Sequence, residues 1–517
     1  MGPLAPLWPR LVLKLAKLIL HCLLPRIGEY IAEIALSYLF AKQPARPARG
    51  PRRLRNIRTS FGPSRLTSGS RTGIIWLDST RTTSPMTPPE SGRIPLLAPT
   101  PPMGWNSWNS FATTITEAQA LETARIMAEK LLPFGYDVFT IDIQWYEPNA
   151  SSYQYSTSPQ TTLDPYGRCI PAPARFPSSR DGRGFAAIGR QVHELGLKFG
   201  IHIMRGIPRL AVEQNLPVFG SSARARDIAD VSSICSWNPD MYGVDMTRPG
   251  AQAYYDSLFA LYASWGVDFI KLDDMSRPYD AHQAEIEAVK LAIERSGRPI
   301  TLSLSPGETP VSRGDHVSRH AQMWRISDDF WDEWPMLEAQ FTRLENWNQY
   351  RRTGAWPDPD MLPLGRLALG QRDTRFTPDE QQTLMTLWAM TRSPLIMGGD
   401  LRHLDASTLA LLTHREVIAI DQSSTENRPH FLIDGVRVWT ARSADGKTAY
   451  LAVFNTTGNA RSINLRLADV GLKAATKPRD VWSGATLDAG TLGQLEIASH
   501  GCRLIALDIA GSSGRAV

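Results

Sequence analysis

Between residues 96 and 415 short apolar runs alternate with amphipathic helical patterns, and no other feature of the chain limits its fold so tightly. The runs at 136–142, 197–203, 267–273, 300–304 and 395–397 have strand length, and the intervening stretches 117–131, 184–195, 251–265, 281–296 and 378–392 carry apolar residues at helical spacing. In the first helix Leu121, Ile126 and Leu131 supply that spacing, and Thr116 ahead of them offers a capping hydroxyl. Strands that each feed a helix build a parallel sheet, because parallel neighbours need a long crossover. A run of such units over about 300 residues has the size of a (β/α)8 barrel. The expected fold is therefore α/β, a (β/α)8 TIM barrel over 96–415. After Glu416 the helical patterns stop. Runs at 436–440, 449–454 and 502–507 between Gly, Asp and Asn turns predict a C-terminal antiparallel β-sandwich domain over 416–517.

The charge is unevenly placed. Residues 1–95 hold 15 Lys and Arg against 4 Asp and Glu, so the remainder carries 41 basic and 47 acidic groups and is mildly acidic. The basic character belongs to an N-terminal extension, and a nucleic-acid-binding fold is disfavoured. Within that extension Leu and Ile are frequent over 11–40, but Lys14, Lys17, His21, Pro25, Arg26, Glu29 and Glu33 interrupt them. Neither a transmembrane span nor a clean signal peptide fits. Residues 46–71 are rich in Arg, Pro and Ser and read as disordered. The extension reads as a leader without function, with Met86 as an alternative start; contact of the arm with a membrane surface, or export, are the competing readings. Four cysteines, with no Cys-x-x-Cys pair, argue against a disulfide scaffold and against zinc.

In a barrel the chemistry sits at the C-terminal ends of the strands. Those ends carry Trp105, Asn106 and Trp108, then Asp142, His202, Arg205, Lys271, Asp273, Asp274 and Ser305, then Arg325, Asp328, Asp329, Asp358 and Asp360. Any one Asp could cap the helix that follows it. As a set, carboxylates with Trp, Arg and Lys suit a polyhydroxylated ligand: rings cover the C–H face while charged groups bond the hydroxyls. Lys271 and Asp273 lie two apart on one strand and so point the same way. A lysine beside a carboxylate favours its ionised form. Arg325 precedes Asp328 and Asp329 by three and four residues. Two carboxylates brought together from two strands are the equipment of glycoside hydrolysis.

Pro101-Pro-Met-Gly-Trp-Asn-Ser-Trp108, Ile270-Lys-Leu-Asp273, Trp324-Arg-Ile-Ser-Asp-Asp-Phe330, Trp356-Pro-Asp-Pro-Asp-Met361 and Ser393-Pro-Leu-Ile-Met397 resemble, in order, segments of glycoside hydrolase family 27, the α-galactosidase family. The resemblance spans residue 96 to the C-terminus. It implies a (β/α)8 barrel with an antiparallel β domain, a retaining double displacement, a carbohydrate substrate, and neither metal nor organic cofactor. By that resemblance Asp273 is the nucleophile and Asp329 the acid/base, with Asp328 its competitor. Arg325 and Lys271 bind sugar hydroxyls, Trp108 packs on the sugar face, Asp360 helps line the pocket, and Asp142 holds the region of the 4-hydroxyl.

The chain also departs from the family pattern. Where the family has Asp-Asp-x-Trp, this sequence has Asp142-Ile143-Gln144-Trp145. The missing acid is the one that grips the 6-hydroxyl of galactose, and that hydroxyl left unpaired against Ile143 would cost about 1–3 kcal/mol. β-L-Arabinopyranose is α-D-galactopyranose without the hydroxymethyl arm, so Ile143 suits it better, and the substitution resembles that of β-L-arabinopyranosidases in the family. An Ile143 packed behind the strand would remove this argument. His202 replaces a usual Tyr, and Ser305-Pro306 stands where animal and plant enzymes carry Glu-Trp. A small Ser305 would leave room for a 2-acetamido group, which keeps α-N-acetylgalactosaminidase as an alternative. The cysteines that flank two of the motifs in secreted relatives are absent, as in a reducing compartment, so the expected location is cytoplasmic. A non-catalytic carbohydrate-binding barrel would lack one of the two acids, and metal-dependent hydrolysis would want a His-rich ligand set.

Overall fold

A computed structural model describes residues 96–509 apart from 157, 474, 489 and 490. The basic extension, with all three readings of it, lies outside the described residues. Eight parallel strands follow in chain order: β1 (Met103–Asn106), β2 (Val138–Ile141), β3 (Lys198–Met204), β4 (Phe269–Asp273), β5 (Thr301–Leu304), β6 (Met323–Arg325), β7 (Trp356–Asp358) and β8 (Leu395–Met397). Each pairs with the next along the chain as far as β7, and β8 pairs back onto β1. A parallel bridge from Leu362, just beyond β7, to Met397 in β8 closes the ring. Gly104 shows how closely the strands meet, since a Cβ there would stand 2.1 Å from the Val138 carbonyl oxygen.

Helices α1 (Glu117–Lys130), α2 (Ala186–Glu194), α3 (Ala251–Ser264), α4 (Tyr279–Ser296), α5 (Gly314–His320), α6 (Trp334–Trp347), α7 (Pro378–Thr391) and α8 (Arg415–Ser423) follow the eight strands in turn. Thr116 caps α1 as expected, in a reciprocal box with Gln119. The buried face of α1 differs from the expected one. It is Ala120, Thr123, Ala124 and Met127, while Leu121 and Ile126 are only partly buried at its flanks. Small residues let the helix pack closely along its buried face, and the larger apolar side chains lie at the edges of that face. The helices also continue past Glu416. α8 runs to Ser423 because Val417 and Ile420 bury one face and His414 caps its start.

Two excursions interrupt the alternation at the C-terminal end of the barrel. One runs from Asp142 to Phe185; the other, from Arg205 to Gly250, contains a small antiparallel sheet of Ile207–Pro208, Ala229–Ile234 and Met241–Val244. Gly206 opens the second at φ +90°, with the Tyr242 carbonyl so near that a Cβ would meet it at 1.9 Å.

Beyond α8 lie β9 (Thr425–Ile433), β10 (Val436–Arg442), β11 (Thr448–Asn455), β12 (Arg461–Ile463), β13 (Ala475–Asp480), β14 (Leu495–Ile497) and β15 (Cys502–Ile509). Five form an antiparallel sheet in the order β9-β10-β11-β15-β13, and β12 pairs with β14. Alternate side chains face opposite ways along these strands. Trp439, Ala441, Tyr450, Ala452 and Phe454 join the core of the barrel, whereas Val438, Leu451, Val453 and Ile505 pack with Ile463 and Leu495 in a second core. Helix α7 sits between barrel and sheet and is buried along almost its whole length. Its Thr383 donates to the His500 carbonyl at 2.7 Å, and Trp482 donates to Thr386 at 2.9 Å. Cys169, Cys235 and Cys502 are buried free thiols. No helix among the described residues is long and apolar enough to cross a membrane.

Candidate active site

A cavity of about 410 Å³ opens at the C-terminal end of the barrel. Trp108, Asp142, Ile143, Lys271, Asp273 and Asp329 are on its wall, so six of the expected residues converge there. Ile143 lines the cavity and is not packed behind β2.

Asp142 ends β2 and is held from three sides. Asn106 donates to its Oδ2 at 2.8 Å, Lys271 Nζ donates to the same oxygen at 3.0 Å, and the Ile143 amide donates to Oδ1 at 2.9 Å. Burial opposes the charged form, but Lys271 and His202 outweigh it, and the carboxyl lies below its usual range. Burial likewise opposes the Lys271 ammonium, yet Asp142 and Asp273 hold its pKa above the ordinary value. Asp273 ends β4. Its Oδ2 is 2.9 Å from His202 Nε2, and its Oδ1 accepts from the Asp274 amide at 2.7 Å. The sheet register sets this up by placing His202 beside Lys271 and Met204 beside Asp273. Asp274 turns away at φ +62°, with its carboxylate 2.8 Å from Arg205, which also pairs with Glu285 at 2.7 Å.

Asp329 lies beyond β6, with Arg325 Nη2 3.3 Å from its Oδ1. About half of its side-chain surface faces the solvent of the cavity, while protein mass crowds the rest. Burial therefore raises its pKa; Arg325 opposes that rise, Asp360 and Asp273 add to it, and the net direction is upward. Asp328 points out to the rim, where Arg277 pairs with it at 2.8 Å.

Four expected residues sit around the cavity and not on its wall. His202 is fully buried behind Asp273, and its Nδ1 has no partner. Arg325 is buried beneath the site, with Nη1 2.9 Å from Asp360 Oδ1, so it bears on the cavity through Asp329. Asp360, expected to line the pocket, is spent below it: its Oδ2 accepts from the Phe330 amide at 2.8 Å. Ser305 is buried just past the end of β5 with its hydroxyl unpartnered, and Pro306 supplies the wall instead.

The strand-end reading missed Tyr155, Trp237, Arg277 and Pro306. Tyr155 and Trp237 come from the two excursions, where no periodicity marks a direction. Tyr155 stacks 6.2 Å from Trp108 at 14° between ring planes, which extends the aromatic wall. The two excursions are tied behind Ile143, where Gln144 and Tyr146 donate to Asp240 Oδ2 at 2.5 and 2.6 Å. Arg175 braces the first through hydrogen bonds to the carbonyls of Thr113, Ile115, Gln144 and Glu147.

The family model described as alpha galactosidase A matches residues 242–423, and that of the alpha galactosidase C-terminal beta sandwich domain matches 434–507. The α-galactosidase of Cyamopsis tetragonoloba is 28% identical over 420 residues, covering 80% of this chain and 87% of its own. A family 27 β-L-arabinopyranosidase of Geobacillus stearothermophilus superposes with a TM-score of 0.77 at 45% identity, covering 81% of this chain and 98% of that one. A protein of Bacillus halodurans described as a putative α-N-acetylgalactosaminidase gives 0.71 at 44% identity, over 80% and 99%. Barrel, sandwich and carboxylate-lined cavity thus define a glycosidase. The chain belongs to glycoside hydrolase family 27, the α-galactosidase family.

Proposed function

We propose that this glycosidase removes terminal β-L-arabinopyranosyl residues, and α-D-galactosyl residues less efficiently, by a retaining double displacement. The observation that carries the substrate assignment is Ile143 on the cavity wall beside Asp142. An apolar side chain there has nothing to offer a 6-hydroxyl, and a pyranose that ends at C5 presents none. In support, the solved structure at 45% identity is described as a β-L-arabinopyranosidase, and a variant of that enzyme has also been solved with arabinose.

Asp273 is the nucleophile in this reading. His202 and the Asp274 amide fix both of its oxygens, so the carboxylate meets the anomeric carbon in one orientation. Asp329 donates its proton to the glycosidic oxygen as the C1–O bond breaks and the ester to Asp273 forms. Its raised pKa suits an acid. Asp329, now a carboxylate, takes a proton from the water that attacks C1, and the ester breaks to release sugar and Asp273. Asp328 is the weaker candidate for the acid/base role, because its exposed carboxylate is turned to the rim and paired there with Arg277 at 2.8 Å. Asp142 and Lys271 bond ring hydroxyls, and Trp108 with Tyr155 forms the apolar face.

A second reading, a 2-acetamido sugar, has the Bacillus halodurans protein's description behind it. Against it, Pro306 and not the small Ser305 forms the wall. The test compares kcat/KM for nitrophenyl β-L-arabinopyranoside, nitrophenyl α-D-galactopyranoside and nitrophenyl N-acetyl-α-D-galactosaminide on one preparation. Preference for the arabinoside supports the assignment; preference for either of the others overturns it.

A further inference from the structure

On the outer helix layer, α4 and α5 bring together a group that glycoside chemistry does not use. His316 and His320 stand one turn apart on α5, and Glu287 reaches them from α4. Among the described residues this trio is a set of His and carboxylate ligand atoms all within 4.8 Å of one another. It shares no residue with the cavity at the barrel mouth.

The second atoms of these side chains are also arranged. His320 Nδ1 lies 2.8 Å from the His316 carbonyl, to which only an N–H can bond, so its Nε2 carries the lone pair. His316 Nδ1 is 2.7 Å from the Tyr279 hydroxyl, and its Nε2 is 3.0 Å from Glu287 Oε1. A tyrosine hydroxyl both donates and accepts, so it serves either tautomer of His316. When Nε2 gives up its proton to Nδ1, the new N–H donates to the Tyr279 oxygen and the Nε2 lone pair is free. This is how metal-binding histidines are held, with the remote nitrogen anchored by a partner. The two rings stack at 4.0 Å with 21° between their planes, so one ring must swing out of the stack for both lone pairs to meet one ion.

We propose that His316, His320 and Glu287 form a binding site for a zinc-class divalent ion, with water completing a tetrahedron. Metal–ligand distances of about 2.0–2.2 Å put tetrahedral ligands about 3.3–3.5 Å apart, so closure needs one ring or carboxylate to shift by ~1 Å. The ion would tie α4 to α5 on the outside of the barrel and take no part in turnover. The sequence carried a hint in His316-Val-Ser-Arg-His320, a pair at i and i+4 on a helix. Glu287, far away in sequence, gave none.

The test titrates Zn²⁺ alone, against a chromogenic chelator, into full-length protein first stripped of metal. The wild type is expected to bind one ion with a Kd of ~10 µM or tighter. His320→Gln and Glu287→Gln should each weaken it by at least ~10-fold, and Tyr279→Phe by ~10-fold through the lost anchor. Turnover should be equal in stripped and zinc-loaded protein. The proposal is overturned by a wild type without a stoichiometric site tighter than ~100 µM. It is equally overturned by variants that bind zinc as the wild type does, since the ion then sits elsewhere. Glu287→Gln, on an exposed side chain, keeps the test decisive should His320→Gln fold poorly.

Discussion

Ile143→Asp tests the group to which the proposed function assigns the choice of sugar. In the wild type a galactoside would seat its 6-hydroxyl against Ile143, where the cavity gives it no partner. An unpaired buried hydroxyl costs about 1–3 kcal/mol. At about 1.36 kcal/mol per tenfold in rate, the arabinoside is favoured by ~5- to ~150-fold in kcat/KM. The substitution supplies an acceptor at that place and removes the apolar wall that the arabinoside covers, so the ratio should fall by at least tenfold and pass toward the galactoside. The new carboxylate stands next to Asp142, which already takes Lys271 and Asn106. Absolute rates will therefore drop for both substrates. For that reason the ratio on one preparation is the quantity to measure, because active fraction cancels in it. Ile143→Asn offers a hydrogen bond without charge and should move the ratio the same way. Ile143→Ala removes bulk without offering a bond and should leave the galactoside no better served relative to the arabinoside. A wild type that prefers the galactoside, or an Ile143→Asp variant with an unchanged ratio, refutes the reasoning. The hydroxymethyl group would then lie along another part of the wall.

Asp273→Asn should abolish turnover on every glycoside while leaving the thermal midpoint within a few degrees, because the amide oxygen still accepts from the Asp274 amide; measurable wild-type-like turnover would remove Asp273 from its role. Asp329→Ala should lose ~10²–10⁴-fold on substrates with poor leaving groups and far less on a dinitrophenyl glycoside, which needs no proton. In the wild type the pH profile should fall on its alkaline side as Asp329 loses its proton, at a pH above that of an ordinary carboxylate, given the raised pKa. Asp358, buried beside Arg325 and Asp360, has its pKa pushed up to about 7, with burial as the main cause. Its folded value lies above the unfolded one, so its contribution to stability is full in acid and is lost as pH rises through 7. Asp358→Asn, which keeps an acceptor for the Asp360 amide, should raise the melting temperature relative to wild type more at pH 8 than at pH 5.

The alternation that predicted a barrel was legible because it is local. Each strand and helix carries its own period, and the strand ends follow from the strands, which is how Asp142, Lys271, Asp273 and Asp329 could be picked before any geometry. What failed was whatever depends on distance between elements. Leu121 and Ile126 look like the core face of α1, yet Ala120 and Ala124 are the residues fully buried, since close packing selects for size as well as polarity. Asp360 and Arg325 look like wall residues, yet they neutralise each other one layer down. Strand ends give direction but not depth. Tyr155 and Trp237 were invisible because the excursions that carry them fold back through Arg175 and Asp240, buried contacts with no periodic signature.

That division bears on specificity. The acids at the strand ends are fixed by the sheet, which tolerates little change in register. The residues around them come from excursions and from one-residue substitutions such as Ile143. In the proposed reading the sugar is chosen by what stands beside the carboxylates, while the carboxylates stay where the barrel puts them. Ile143 touches no reacting bond in the proposed mechanism, so its replacement should redistribute rate among substrates without abolishing chemistry. Asp273, the proposed nucleophile, should show the opposite signature, its replacement losing every substrate together. The two variants, assayed on the same pair of glycosides, therefore separate the part of the site that performs the reaction from the part that chooses the sugar.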